Sequence, residues 1–317
     1  MQCFNGNSET KRRIMQRAHE AGTRAAAGED RKTIFWSRRS WCEAPYVCNK
    51  PNCDHSFYAS EVGVPIALAY AEHGLFKEMS NRSAGKWPTR YLDALSIAID
   101  GALLNQVWRD LALFVLADET HGLLNVARSP EQNDAIVAIV ELFESDSEDA
   151  DAWKQAARNA RKVSHDGPDT NYRLESAPAF LAAGAKACYA ASYFASAFEN
   201  PRYAAEALSW SPWAFRYRKY AQLMAGVRKG SAPADEHGMV DFVTSLAYYS
   251  DWTEKADHSE SEGERIRKAM YDVYADQLIH LIKRCVRENR PGIMASASAL
   301  IASLRSGMTG RSAAASR

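Results

Sequence analysis

Reactive side chains are densest in WCEAPYVCNKPNCDHSFY, residues 41 to 58. Cys42, Cys48, Cys53 and His55 place three soft sulfurs and one imidazole within fourteen residues. Pro45, Pro51 and Asn52 supply turns that can fold such ligands about a tetrahedral Zn²⁺. The spacing departs from a standard knuckle. Five residues separate the first two cysteines and four the next pair, and one residue between Cys53 and His55 restricts joint ligation. The set reads either as a structural zinc site or as reduced, half-buried thiols, and no other cofactor is expected.

The remaining chemistry is sparse. Six of the eight histidines have an acid as sequence neighbour, but adjacent helical residues point about 100° apart, so these pairs belong to helix ends rather than to shared sites. Asp118 and His121, in ADETHG, are better spaced for one face. A di-metal bundle needs Glu-x-x-His motifs, and none occurs. Nor is there a Gly-x-Ser-x-Gly, a phosphate-binding glycine loop, a GxGxxG or a His-Glu-x-x-His. The chain reads as non-enzymatic, the alternatives being a zinc-supported nucleic-acid-binding protein built on residues 1–60 and an enzyme whose site is assembled from distant residues.

The elements that must position these residues are helical. Ser129, Pro130 and Gln132 form a capping box with a proline in the first turn, ahead of DAIVAIVELF. Ser147 is placed to cap EDADAWKQAARNARKV, which runs to Gly167 and Pro168. Pro65 starts a short helix that Gly74 closes, and Ser259 opens a long one from about residue 260 to 288. Residues 177 to 198 are nearly half alanine, which lets helix axes approach closely while interspersed rings fill the gaps. No clean period-two strand pattern is present. The expected fold class is all-α, a multi-helix bundle or irregular helical array of about ten helices.

SWSPWAFRYRKYAQLMAGVRKG, residues 209 to 230, carries five rings and five cations and no acid. If Ser211 caps a helix starting at Pro212, then Trp213, Tyr217, Tyr220, Met224 and Val227 share one apolar stripe. Phe215, Arg218 and Lys219, with Lys229 further on, then face away from it, with Arg216 at the flank. One exposed ring is too few for a base-stacking platform. The face reads as solvated, or as a dock for an acidic surface. Its counterpart is ELFESDSEDAD, which carries Glu141, Glu144, Asp146, Glu148, Asp149 and Asp151 without a base. Directed outward, those acids would suit a basic protein partner, since complementary charge speeds encounter and rejects wrong partners.

Formal net charge is zero, which gives no global field toward nucleic acid or anionic lipid. Residues 1 to 40 hold nine Lys or Arg against four acids, so nucleic acid could be engaged only through that basic segment, read as a helix on the body or an arm. The amino terminus has no apolar signal region and no run reaches membrane-spanning length, so no membrane role is expected and the compartment is read as cytoplasmic. Three regions are expected: a basic, cysteine-containing segment over 1–60, a helical body over 61–305 and a disordered tail over 306–317.

Taken in order, YLDALSIAIDGALL, NDAIVAIVELFESDSEDADAWKQAARNARK, AFLAAGAKACYAASYFASAF and YADQLIHLIKRC resemble alanine-rich helical bacterial and phage proteins classed as predicted immunity proteins of polymorphic toxin systems. The resemblance covers roughly residues 90–288 and carries no catalytic motif. It implies a non-enzymatic protein that binds another protein.

Overall fold

Ser129 accepts from Gln132 N while the Gln132 side chain returns to the backbone at Arg128 and Ser129, so the capping box exists as read. It starts one of eleven α-helices in the computed structural model, which describes residues 2–29, 36–37, 40–41, 55–97, 99–165, 176–228 and 242–288. In chain order these are α1 Ser8–Ala26, α2 His55–Val62, α3 Ile66–Glu78, α4 Asn81–Ala84, α5 Trp87–Ala94, α6 Leu104–Ala117, α7 Pro130–Glu144, α8 Ala150–His165, α9 Ser176–Ser196, α10 Tyr203–Arg228 and α11 Phe242–Glu288. The only other extended pairing among the described residues, an isolated bridge apart, joins Trp36–Ser37 to Ser40–Trp41. The fold is all-α, and among the described residues no helix is long and apolar enough to cross a membrane.

Helix α9 is the axis of the bundle. Ala183, Ala187, Ala190, Ala191 and Ala195 are buried with Cys188 and Phe194, so small side chains let α8 and α10 close on it from two sides. α10 then packs against α11 and α3, and the α7–α8 hairpin covers another flank. α1 lies on α5, with Ile14, Ala18 and Ala25 sunk into the same continuous core. Lys11 ties this pair by donating to the carbonyls of Asp93 and Leu95, which α5 leaves open at its end.

Several boundaries differ from the expected ones. α10 begins at Tyr203, so Pro212 lies inside it and Ser211, rather than capping, donates its hydroxyl to the Ala207 carbonyl at 2.7 Å. α11 begins at Phe242, well before Ser259. Asp149, not Ser147, caps α8 by accepting from Asp151 N and Ala152 N. Gly74 does not close α3. A Cβ there would lie 2.9 Å from the Ala205 carbonyl oxygen, so glycine is what allows α3 to touch the backbone of α10. Gly167, Pro168 and residues 306–317 lie outside the described residues.

Candidate functional site

Helix α6 presents Trp108 and Arg109 on one side and Asp110 on another, one toward an open cleft and one toward α11. The cleft has a volume of about 480 Å³ and lies where α6 meets the α7–α8 corner and the end of α9. Its wall is aromatic. Trp153 of α8 is 3% exposed, meets Phe143 edge-on at 4.8 Å and stacks on Phe198 at 5.2 Å. Its indole N–H donates to the Ser147 carbonyl at 2.8 Å, which locks the corner to the ring. Phe198 is 44% exposed, so one face of this stack is open. Arg109 spans the corner by donating to the Glu144 carbonyl at 2.6 Å and pairing with Asp146 at 3.0 Å. Asp146 takes a left-handed φ of 51°, the sharp reversal that turns the chain from α7 toward α8.

Of the acidic run, Asp146 lines this cleft, and the other acids lie along the α7–α8 corner that bounds it. Glu141, Asp146, Glu148, Asp149 and Asp151 are exposed and Glu144 is half-buried. Asp149 is spent on capping, Asp146 holds Arg109, and Asp151 lies 3.9 Å from Lys154, whose closer partner is Glu199 at 2.9 Å. Six carboxylates against Arg109 and Lys154 leave the α7–α8 corner negative.

The basic segment of α10 is not a solvated face. Phe215 is 7% exposed and belongs to the core, whereas Trp213 is only partly covered and lies between the guanidinium groups of Arg216 and Arg267 at 4.8 and 4.9 Å. The assignment of faces is thus reversed for these two rings. The physical reason is that α10 is enclosed by α3, α9 and α11, so it has no single apolar stripe from which to set a wheel. Its acids come from α11: Arg216 reaches Glu264 at 3.4 Å and Lys219 reaches Glu262 at 4.0 Å. Glu264 also accepts twice from Arg267, and these bonds hold its carboxyl below the usual range. Arg218 has no such acid among the described residues, and Lys229 lies outside them.

Cys42, Cys48 and Cys53 also lie outside the described residues. His55 starts α2, is 2% exposed, stacks on Tyr70 and has its Nε2 2.8 Å from His73 Nδ1. Among the described residues no three metal-ligating side chains converge. Asp118 and His121 belong to a turn after α6, where Asp118 accepts from the backbone N–H groups of Thr120 and His121. In the basic arm, Lys11 is committed to carbonyls, Arg12 to Glu9 and Arg13 to Glu61.

Trp108, Arg109, Trp153 and the open face of Phe198 are site residues that the sequence pattern does not single out. They come from two helices, α6 and α8, and the turn that follows α9, and no local spacing links them. Comparison with protein-family models, with curated proteins and with solved structures returns no match.

Proposed function

We propose that the protein acts by binding a basic protein partner at the aromatic cleft and the acidic corner beside it, without chemistry of its own, as a toxin-neutralising immunity protein would. The observation that carries this reading is the half-exposed Phe198 stacked on the buried Trp153, beside the α7–α8 corner, whose six carboxylates include Asp146 in the cleft wall. A rigid ring with one free face offers apolar area at low entropic cost, which is how interface anchors work. The surrounding charge selects a cationic partner and raises its encounter rate.

The test uses full-length protein as bait in cells, followed by kinetics with each captured protein. Phe198→Ser should raise the dissociation rate, because the anchor is lost. Glu148→Lys with Asp151→Lys should slow association, and more so at low salt, because exposed charges are screened beyond about 8 Å at physiological ionic strength. Neither change should lower stability by more than about 2 kcal/mol, since both residue sets lie at the surface. Capture of the same proteins with unchanged kinetics by both variants would refute the cleft as the binding site.

A further inference from the structure

The chain's own partly exposed rings show what such a surface attracts. Arg128 lies over Phe180 at 5.3 Å and Arg161 over Tyr193 at 5.4 Å, while the Lys186 ammonium lies 5.8 and 5.7 Å from the ring centres of Trp210 and Tyr217. Trp213 takes two guanidinium groups, those of Arg216 and Arg267. In each case the negative face of a ring meets a positive charge, an attraction that grows as water is excluded. Phe198 is the most exposed ring among the described residues, and no cation of those residues lies over it.

The geometry around Phe198 suits a cation that arrives from outside. Trp153 covers one face in a near-parallel stack, with 12° between the planes, and the Ser147 carbonyl fixes the indole. The other face of Phe198 stays open, and the quadrupoles of the two stacked rings point the same way through it. Phe198 and Trp153 line the same cleft as Asp146, whose side chain is 81% exposed and gives Oδ1 to Arg109. Arg109 is the one cation in the cleft wall among the described residues, and Asp146 and the Glu144 carbonyl meet its charge. Along the corner lie five further carboxylates against Lys154. A positive group entering here meets a free π face, an exposed carboxylate and a negative approach. At about 480 Å³ the cleft admits a long side chain together with the backbone that carries it.

We propose that the cleft is a receptor for an arginine side chain, the group that the basic partner inserts; this rests on the docking reading above and names what docks. Arginine fits better than lysine. Its guanidinium is planar and weakly hydrated, so it can lie flat on Phe198 with its edge left free for a carboxylate such as Asp146. An ammonium is a compact, strongly hydrated point charge and gains less from the ring.

The test is an NMR titration of the isotope-labelled full chain with acetyl-Gly-Arg-Gly-amide, and with lysine or citrulline in place of the arginine. The readout is the Trp153 indole N–H, assigned as the signal missing from Trp153→Phe. The arginine peptide should shift that signal saturably, with a dissociation constant of about 1 mM for so small a ligand. The lysine peptide should bind about threefold more weakly, and the citrulline peptide, which keeps the shape without the charge, about tenfold more weakly. Phe198→Leu keeps apolar bulk and removes the π face. Asp146→Asn removes the charge and keeps a residue type that tolerates the left-handed φ of 51°. Each should weaken arginine binding about fivefold to tenfold, and Phe198→Leu, at the surface, keeps the test decisive should Asp146→Asn loosen the corner. Equal binding of the three peptides, no saturable shift at Trp153, or unchanged affinity in Phe198→Leu would overturn the arginine site. Should Phe198→Ser still speed release of the captured proteins in that case, the docking reading stands without it. Arginine binding as described, with release unchanged in Phe198→Ser, upholds the site and refutes the docking reading alone.

Discussion

Asp110 and Arg284 offer a direct measure of how the cleft wall is held. Asp110 is 3% exposed in its side chain and uses both oxygens: Oδ1 accepts from Gln106 at 2.8 Å and Oδ2 from Arg284 at 2.7 Å. The first comes from a neutral amide within α6 and the second from a guanidinium of α11, and both are bonds to a charged carboxylate, each worth about 1.5–3 kcal/mol. Asp110→Ala loses both and leaves Arg284, 17% exposed, facing an empty pocket. A loss of about 3–5 kcal/mol is expected, as for other buried pairs broken from one side. Arg284→Met should cost a similar amount at neutral pH, because the carboxylate is then left buried with Gln106 alone. Asp110→Leu combined with Arg284→Met removes both charges and fills the space with apolar atoms, so the double variant should be more stable than either single one. Urea unfolding of the full chain, followed by helical circular dichroism with slopes compared among variants, provides the values. If the single losses simply add in the double variant, the pair is not the tie between α6 and α11.

Three further outcomes follow from the same geometry. Phe215→Ala should cost about 3–5 kcal/mol as a core truncation, whereas Trp213→Leu should cost about 1–2 kcal/mol by removing the ring between two guanidinium groups; Trp213→Phe, which keeps a π face, should recover part of that loss in chemical denaturation. A Cβ on Gly184 would overlap the Gln132 side-chain oxygen, which is already committed to the Arg128 N–H, so Gly184→Ala should cost about 1–2 kcal/mol through overpacking and a disturbed cap. In a Gln132→Ala background the same change should become stabilising by about 0.5–1 kcal/mol, because only the helix preference for alanine remains; an unchanged sign would refute the contact. Glu264 is depressed by its bonds to Arg267, so its contribution is complete above the ordinary carboxyl range and is lost as pH falls through the lowered folded-state value; thermal melts across the acid range should therefore show a steeper decline for the parent than for Glu264→Gln.

What the sequence made legible was whatever a single segment determines. The capping box at Ser129, the alanine-rich axis of α9 and the start of α3 after Pro65 each depend on residues within a few positions, and all three are present. Segment ends were less legible where tertiary packing outweighs local signals. Pro212 reads as a first-turn proline, yet the turns before it are held by burial of Ala204, Ala207 and Leu208, and the helix continues through it. The start of α11 at Phe242 likewise ignores the local cap at Ser259.

Charges were the least legible feature, and the α10 segment shows why. Arg216, Arg218 and Lys219 look equivalent in sequence, and a wheel places them on one outer face. In the fold, α11 supplies Glu262 and Glu264 to two of them from more than forty residues away, while Arg218 between them has no carboxylate partner among the described residues. Whether a cation is neutralised by a carboxylate or stacked on a ring depends on which helix covers it, a property of assembly rather than of spacing. The same holds for the acids of residues 141–151, whose outward display depends on Arg109 holding the corner closed from α6. A sequence can therefore place a charge run on a helix end, but the partner that gives the run a role is visible only once distant helices are side by side.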